Sequence, residues 1–375
     1  MKAILLSLCI CLATGLQAQF TVRLIVTSIA TRADDDIYVS GNFNNWNPKD
    51  EQYKLKPFGA NRKSLVIRNL ASGTYAFKFS RGAADKLETT EDGRDIADRV
   101  LEVNEDVSQE YSIAGWKDNY PVHPKKYTAS PQVRIIDTAF RIPQLNRTRR
   151  IWVYLPKGYN TSSKTYPVLY MQDGQNLFND QTAFAGEWGV DECMDTLQQQ
   201  LGKECIVVGI DNGGMKRLNE YNPFDHAQYG KGEGKEYAAF LANTLKPYID
   251  SKYRTKKTAP YNFVMGSSMG GLISLYTVLQ YPDIFGGAGV LSPSLQMAPD
   301  IYALAEQFQT ATQPAFYFYA GSKESPEMVP NMQKLSAILQ KKNRYIIRSV
   351  VNPLGQHQEA YWKQEVRDFM KWWSF

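Results

Sequence analysis

The sequence predicts an α/β protein, a doubly wound and mostly parallel sheet, with an all-β sandwich domain ahead of it. Three observations carry that expectation. After about residue 133, short apolar and β-branched runs alternate with amphipathic helical stretches, which is how parallel sheets are built. Between residues 20 and 112, strand-like runs follow one another with turn residues between them, as in a sandwich. At residues 263–272 an apolar run breaks into Gly266-Ser267-Ser268-Met269-Gly270 and a helical pattern starts at once.

A chain of 375 residues has room for two or three domains. Apolar residues make up 43% and charged residues 22%, enough to bury a site inside a globular core. Residues 1–18 read as a secretory signal peptide. Lys2 supplies the charge, residues 4–12 the apolar run, and Leu16-Gln17-Ala18 the cleavage site. Export, to the periplasm or beyond, is therefore expected. The run is too short to span a bilayer, and no later segment is a candidate. Losing Lys2 leaves a net charge just below the full chain's +5, without a clustered patch, which argues against a nucleic-acid partner. Cys193 lies early in an expected helix and Cys205 opens the next strand. At 1.5 Å per residue they are about 15 Å apart, too far for a disulfide, so two buried thiols are expected.

The β domain covers residues 19–113. Ile37-Tyr38-Val39-Ser40 reads as a strand running into the turn formers of Gly41-Asn42-Phe43-Asn44-Asn45-Trp46-Asn47-Pro48. Residues 65–67 form another. Tyr75-Ala76-Phe77-Lys78-Phe79 alternates as a half-buried strand should. Residues 114–131 read as a linker, with Pro121, Pro124, Pro131 and a solvated His123. The α/β domain fills 132–375. Strands are expected at 151–155, 168–171, 205–210, 263–265, 288–291, 315–319 and 345–351. Tyr237, Phe240, Leu241, Leu245 and Ile249 share one helical face, and helices are expected over 272–279, 328–339 and 359–372.

The chemistry centres on Ser268. Gly266-x-Ser268-x-Gly270 fits the strained turn that exposes a nucleophilic serine, and the following helix points its N-terminus at any developing oxyanion. A serine hydroxyl needs a base, and the base an orienting carboxylate, in the chain order Ser, acid, His. His357 is the lone histidine after Ser268, and it precedes the last helix. Glu324 follows the strand at 315–319 and is the favoured acid; Glu327 is the alternative. Oxyanion donors are expected from the N–H groups of Met269 and Gln175, with Gly174 allowing close approach and Asp173 structuring the loop. Nothing in the pattern calls for a metal or an organic cofactor.

Gly41–Pro48, Gly73-Thr74-Tyr75-Ala76-Phe77-Lys78-Phe79, Glu88, Gly93 and Arg99 resemble immunoglobulin-like modules of starch- and glycogen-binding type. Such modules stack tryptophans on sugars. The matching neighbourhoods here read Lys63-Ser64-Leu65 and Asp85-Lys86-Leu87, and Trp46 is expected in the core, so a structural role is favoured.

The second domain has its own set of matches. They are Tyr166-Pro167-Val168-Leu169-Tyr170-Met171-Gln172-Asp173-Gly174-Gln175-Asn176-Leu177-Phe178, Gly186-Glu187-Trp188-Gly189-Val190-Asp191-Glu192, Ile210-Asp211-Asn212-Gly213 with Arg217, Glu220 and Tyr221, Leu245-Lys246-Pro247-Tyr248-Ile249-Asp250, the serine turn and Gly355-Gln356-His357. Together they resemble the putative-esterase family of α/β-hydrolases, which includes feruloyl and acetyl-xylan esterases and siderophore trilactone esterases. The resemblance implies a serine esterase with Ser268 as nucleophile, His357 as base and Glu324 as acid. Trp188 and Tyr221 are candidates to line the pocket, with packing in the core as the equal alternative for each. Gln296 stands where relatives often carry tryptophan, so the resemblance leaves the shape of the acyl side open. The implied partner is a small-molecule or polysaccharide-linked ester, an ester on a polysaccharide or plant phenolic being the first expectation and a siderophore trilactone the alternative. Acyl transfer to a sugar, and a catalytically silent sugar-binding scaffold, are the other readings.

Overall fold

The computed structural model describes residues 19–59, 61–93, 95–96, 98–120, 125–184, 186–227, 229–342 and 344–373. The expected signal peptide, His123, Pro121 and Pro124 lie outside the described residues. The chain divides into two compact units, Met1–Pro124 and Lys125–Phe375.

The first unit is a β sandwich. One sheet runs Lys56–Pro57, Lys63–Ala71, Gln19–Ile29, Val107–Ile113, and the other Tyr38–Gly41, Gly73–Ser80, Arg99–Val103. Period-two alternation turns Val22, Leu24 and Val26 of one sheet toward Val39, Phe77, Phe79, Leu101 and Val103 of the other, and these form one buried cluster. The buried Glu88 forms an ion pair with the half-buried Arg99, Nη2 to Oε2 2.7 Å. Two expectations are corrected. The linker starts later than residue 114, because Gly115–Trp116 pairs with Glu88–Thr89 and the Trp116 indole, fully buried, donates to the Thr31 carbonyl at 2.9 Å. Trp46 is 41% exposed rather than in the core. Asn45 and Trp46 both have positive φ, 54° and 57°, which swings the indole outward, and Phe43 packs inward on Tyr53 instead.

The second unit holds one eight-stranded sheet: β1 Val133–Ile142, β2 Arg147–Tyr154, β3 Val168–Gln172, β4 Ile206–Ile210, β5 Asn262–Ser267, β6 Gly287–Leu291, β7 Ala315–Gly321 and β8 Ile346–Asn352. Their spatial order is β1-β2-β4-β3-β5-β6-β7-β8, with β2 antiparallel to both neighbours and the rest parallel. The helices are α1 Val190–Leu201, α2 Arg217–Tyr221, α3 Gly234–Phe240, α4 Lys246–Lys252, α5 Met269–Gln280, α6 Asp300–Gln307, α7 Met328–Gln340 and α8 Glu359–Trp372. Strand alternation divides the core between the two faces. Val168, Tyr170, Phe316 and Phe318 join the cluster built by α3 to α7, while Leu169, Met171, Tyr317 and Tyr319 join that of α1 and α8. No helix among the described residues is long and apolar enough to cross a membrane.

Candidate active site

β5 ends at Ser267 and α5 starts at Met269, so Ser268 is the whole of the bend. Its φ of 58° and ψ of −124° are strained for a residue with a side chain. The flanking residues must be small. A Cβ added to Gly266 would lie 2.7 Å from the Gly270 carbonyl carbon, and one on Gly270 would lie 3.1 Å from Asp173 Oδ2. The Ser268 N–H donates to the Leu291 carbonyl at 2.9 Å, and the first helical bond runs from Leu272 N to Ser268 O. That leaves the N–H groups of Met269, Gly270 and Gly271 ahead of it, at the positive end of α5. Ser268 Oγ lies 3.0 Å from Ser294 Oγ. Among the described residues, no hydrogen bond joins it to His357.

The loops after β7 and β8 are drawn together by two glycines. A Cβ on Gly321 would fall 2.3 Å from the Gly355 carbonyl oxygen. Ser322 N donates to Asn352 O at 2.8 Å and Lys323 N to Gly355 O at 2.9 Å. This contact brings Glu324 Oε2 to 2.7 Å from His357 Nδ1. The Glu324 side chain is 1% exposed and that of His357 39%. Oε1 accepts from Ser292 Oγ at 2.7 Å and from Gly321 N at 2.6 Å. A carboxylate only accepts, so Nδ1 carries the proton and Nε2 is left with the lone pair. Glu327, the alternative acid, is exposed immediately ahead of α7.

The loop after β3 is held just as firmly. Asp173, φ 56°, accepts from Arg217 Nε at 2.7 Å, Arg217 Nη2 at 2.8 Å and Asn212 Nδ2 at 2.7 Å. Gly174 approaches β4 so closely that a Cβ would meet Ile210 N at 2.7 Å. Gln175 is fixed by its side chain, which accepts from Asn212 N at 3.1 Å, and by its carbonyl, which accepts from Thr182 Oγ1 at 2.7 Å. Because Asp173 abuts Gly270, this loop lies against the serine bend.

Trp188 and Tyr221 do not line a cleft. Trp188 is 4% exposed and packs on Trp362 at 6.0 Å; Tyr221 is fully buried and its hydroxyl accepts from Asp173 N at 3.4 Å. Each ring fills core behind the loops, the alternative the sequence leaves open. Gln296 is exposed in the turn after β6. The thiols are free, Cys205 buried but Cys193 only partly so. Glu187, Asp191 and Glu192 bring ligand atoms within 4.8 Å of one another, but on the segment entering α1 rather than at the ends of β5, β7 and β8. The residues that sequence reasoning passed over are Ser292, Ser294 and Trp362. Their only trace is a Ser-Pro-Ser turn after a strand and a tryptophan five residues past the histidine.

A family profile described as Putative esterase matches residues 142–371, more than half of the chain. The uncharacterized protein YbbA of Bacillus subtilis is 32% identical over 152 residues, 39% of this chain and 57% of YbbA, so little more than half of that relative is spanned. An endo-1,4-beta-xylanase/feruloyl esterase of Xylanibacter ruminicola is 30% identical over 161 residues, 40% of this chain and 20% of that protein. The solved structure of the enterobactin esterase FES from Shigella flexneri superposes with a TM-score of 0.53 at 15% identity, covering 90% of this chain and 87% of that one. Such an identity speaks for the fold alone. The chain belongs to the putative-esterase family, and its second unit has the α/β-hydrolase fold.

Proposed function

We propose that the protein is an exported serine esterase working through Ser268, His357 and Glu324. The observation that carries this reading is the 2.7 Å bond between His357 Nδ1 and Glu324 Oε2, made by the loops of β7 and β8 at the same end of the sheet as the serine bend after β5. On substrate binding the Ser268 hydroxyl exchanges Ser294 for His357 Nε2, a bond that free enzymes often make only with substrate present. Nε2 takes the serine proton as Oγ attacks the ester carbonyl. The N–H groups of Met269 and Gln175 receive the oxyanion. The imidazolium, held by Glu324, returns the proton to the leaving alcohol, and water repeats the sequence on the acyl-enzyme. Hydrolysis by wild type and none by Ser268→Ala tests it.

For the substrate, an ester on a polysaccharide or plant phenolic is favoured. The feruloyl esterase relative supports it, as does the exposed face of Trp46, which gives the sandwich a stacking surface. The enterobactin esterase likeness, over 90% of the chain, keeps a siderophore lactone as the second reading. Rates on methyl ferulate, acetylated xylan and a catechol trilactone separate the two. Export is checked by mass spectrometry, with a mature N-terminus at or near Gln19 expected and an intact Met1 in the cytosol against it.

A further inference from the structure

β6 lies between β5 and β7, so the turn leaving it stands between the nucleophile's strand and the acid's. Ser267 is level with Leu291, and Leu291 with Tyr319. The next residue, Ser292, therefore stands beside Ser268 on one side and Ala320 on the other. It is fully buried, with φ 43°, and its N–H is tied to the Tyr319 carbonyl at 2.7 Å. Its hydroxyl is committed twice. Trp362 Nε1 lies 2.9 Å from Ser292 Oγ, and Oγ lies 2.7 Å from Glu324 Oε1. An indole N–H only donates, so it takes a lone pair of the hydroxyl and directs the hydroxyl proton to the carboxylate. The same indole stands at 87° to the His357 ring, centroids 4.9 Å apart. One tryptophan thus holds the imidazole directly and the carboxylate through Ser292.

We propose that Ser292, held by Trp362, is a positioning residue for the ester hydrolysis proposed above. Its hydroxyl, with the Gly321 N–H that also holds Oε1 at 2.6 Å, sets the rotation of the Glu324 carboxylate so that Oε2 meets Nδ1 of His357. The inference rests on the triad reading. With the carboxylate 1% exposed, water has little room to replace the lost hydroxyl. A carboxylate that rotates leaves the imidazolium poorly aimed when it must protonate the departing alcohol. An alkoxide needs that proton, whereas p-nitrophenolate leaves without it, so the loss of Ser292 shows as a dependence on the leaving group.

The test uses the full chain and two variants. Ser292→Gly removes the hydroxyl and suits the positive φ, so the backbone is not strained. Trp362→Phe keeps a ring against His357 and removes the indole N–H. Both should lower kcat/KM, which reports acylation alone, on a short alkyl acetate by about tenfold to a hundredfold and on p-nitrophenyl acetate by only about threefold. Ser268→Ala is measured alongside. Activity retained by Ser268→Ala removes the triad reading and this inference with it. An inactive Ser268→Ala beside a Ser292→Gly with wild-type kcat/KM on both esters overturns the positioning role and leaves the triad standing. An equal loss on both esters, with a lowered melting temperature, shows a merely structural role and also overturns it.

Discussion

Glu324→Gln keeps the shape of the acid and removes its charge. In the native site Oε1 faces two donors, Ser292 Oγ at 2.7 Å and Gly321 N at 2.6 Å. The amide turns its carbonyl oxygen to them, since its NH2 would meet the Gly321 N–H head-on. The NH2 then faces His357 Nδ1, 2.7 Å from Oε2 in the native site, and can only donate. The imidazole is left with its lone pair on Nδ1 and its proton on Nε2, the nitrogen that must accept from Ser268. In a serine protease the same exchange of acid for amide costs about ten-thousand-fold in kcat, or about 5.5 kcal/mol at 1.36 kcal/mol per tenfold. Folding should be little affected, because the amide fills the same space. The assay is steady-state hydrolysis of p-nitrophenyl acetate by wild type, Glu324→Gln and Glu327→Gln, with melting temperatures measured in parallel. The exposed Glu327 should tolerate the change within about twofold, as surface sites do. A folded Glu324→Gln with activity within tenfold of wild type would refute the tautomer argument.

Gly266→Ala should abolish activity and destabilise the fold by roughly 1–3 kcal/mol, because its Cβ would sit 2.7 Å from the Gly270 carbonyl, backbone that cannot step aside; a native melting temperature counts against this. Burial lifts the Asp191 carboxyl to about 7, against about 3.9 in an unfolded chain. The folded state therefore keeps a proton that the unfolded chain releases, and this contribution to stability is full below about pH 3.9 and is lost as pH rises through about 7, by at most about 4 kcal/mol. Asp191→Asn should lose less stability than wild type between about pH 4 and about pH 8 in urea unfolding, and an unchanged difference would contradict it. Trp46, 41% exposed, should account for whatever grip the sandwich has on glucan or xylan, expected near millimolar, about 4 kcal/mol. Calorimetric titration of the full chain with maltoheptaose and xylohexaose should show that grip lost in Trp46→Ala, and equal binding by the variant would place it elsewhere.

The parts of the fold that could be read from sequence were those where side-chain period reports burial. β3, β5, β6 and β7 are buried on both faces and appear as short unbroken apolar runs. β1 was not read because it is an edge strand with two register shifts, and its exposed residues follow no alternation. Ser268 and His357 followed from local turn geometry and chain order. Glu324 was favoured over Glu327 for its place just past a strand, but its bond to His357 was not legible, because it rests on the Gly321–Gly355 contact between two loops. Ser292 and Trp362 were invisible for the same reason: their role depends on β6 lying between β5 and β7. Trp46 was misplaced because two successive residues of positive φ reverse the turn, and Trp188 and Tyr221 stayed undecided between pocket and core because an aromatic near a site reads the same whether it tops the pocket or backs it.

The central claim, that Ser268 is the nucleophile activated by His357 and Glu324, is tested most directly by covalent trapping. The full chain is treated with a fluorophosphonate and mapped by mass spectrometry. One adduct per chain is expected, on Ser268, absent from Ser268→Ala and formed far more slowly by Glu324→Gln. An adduct on another residue, or none in a preparation that hydrolyses esters, would contradict it.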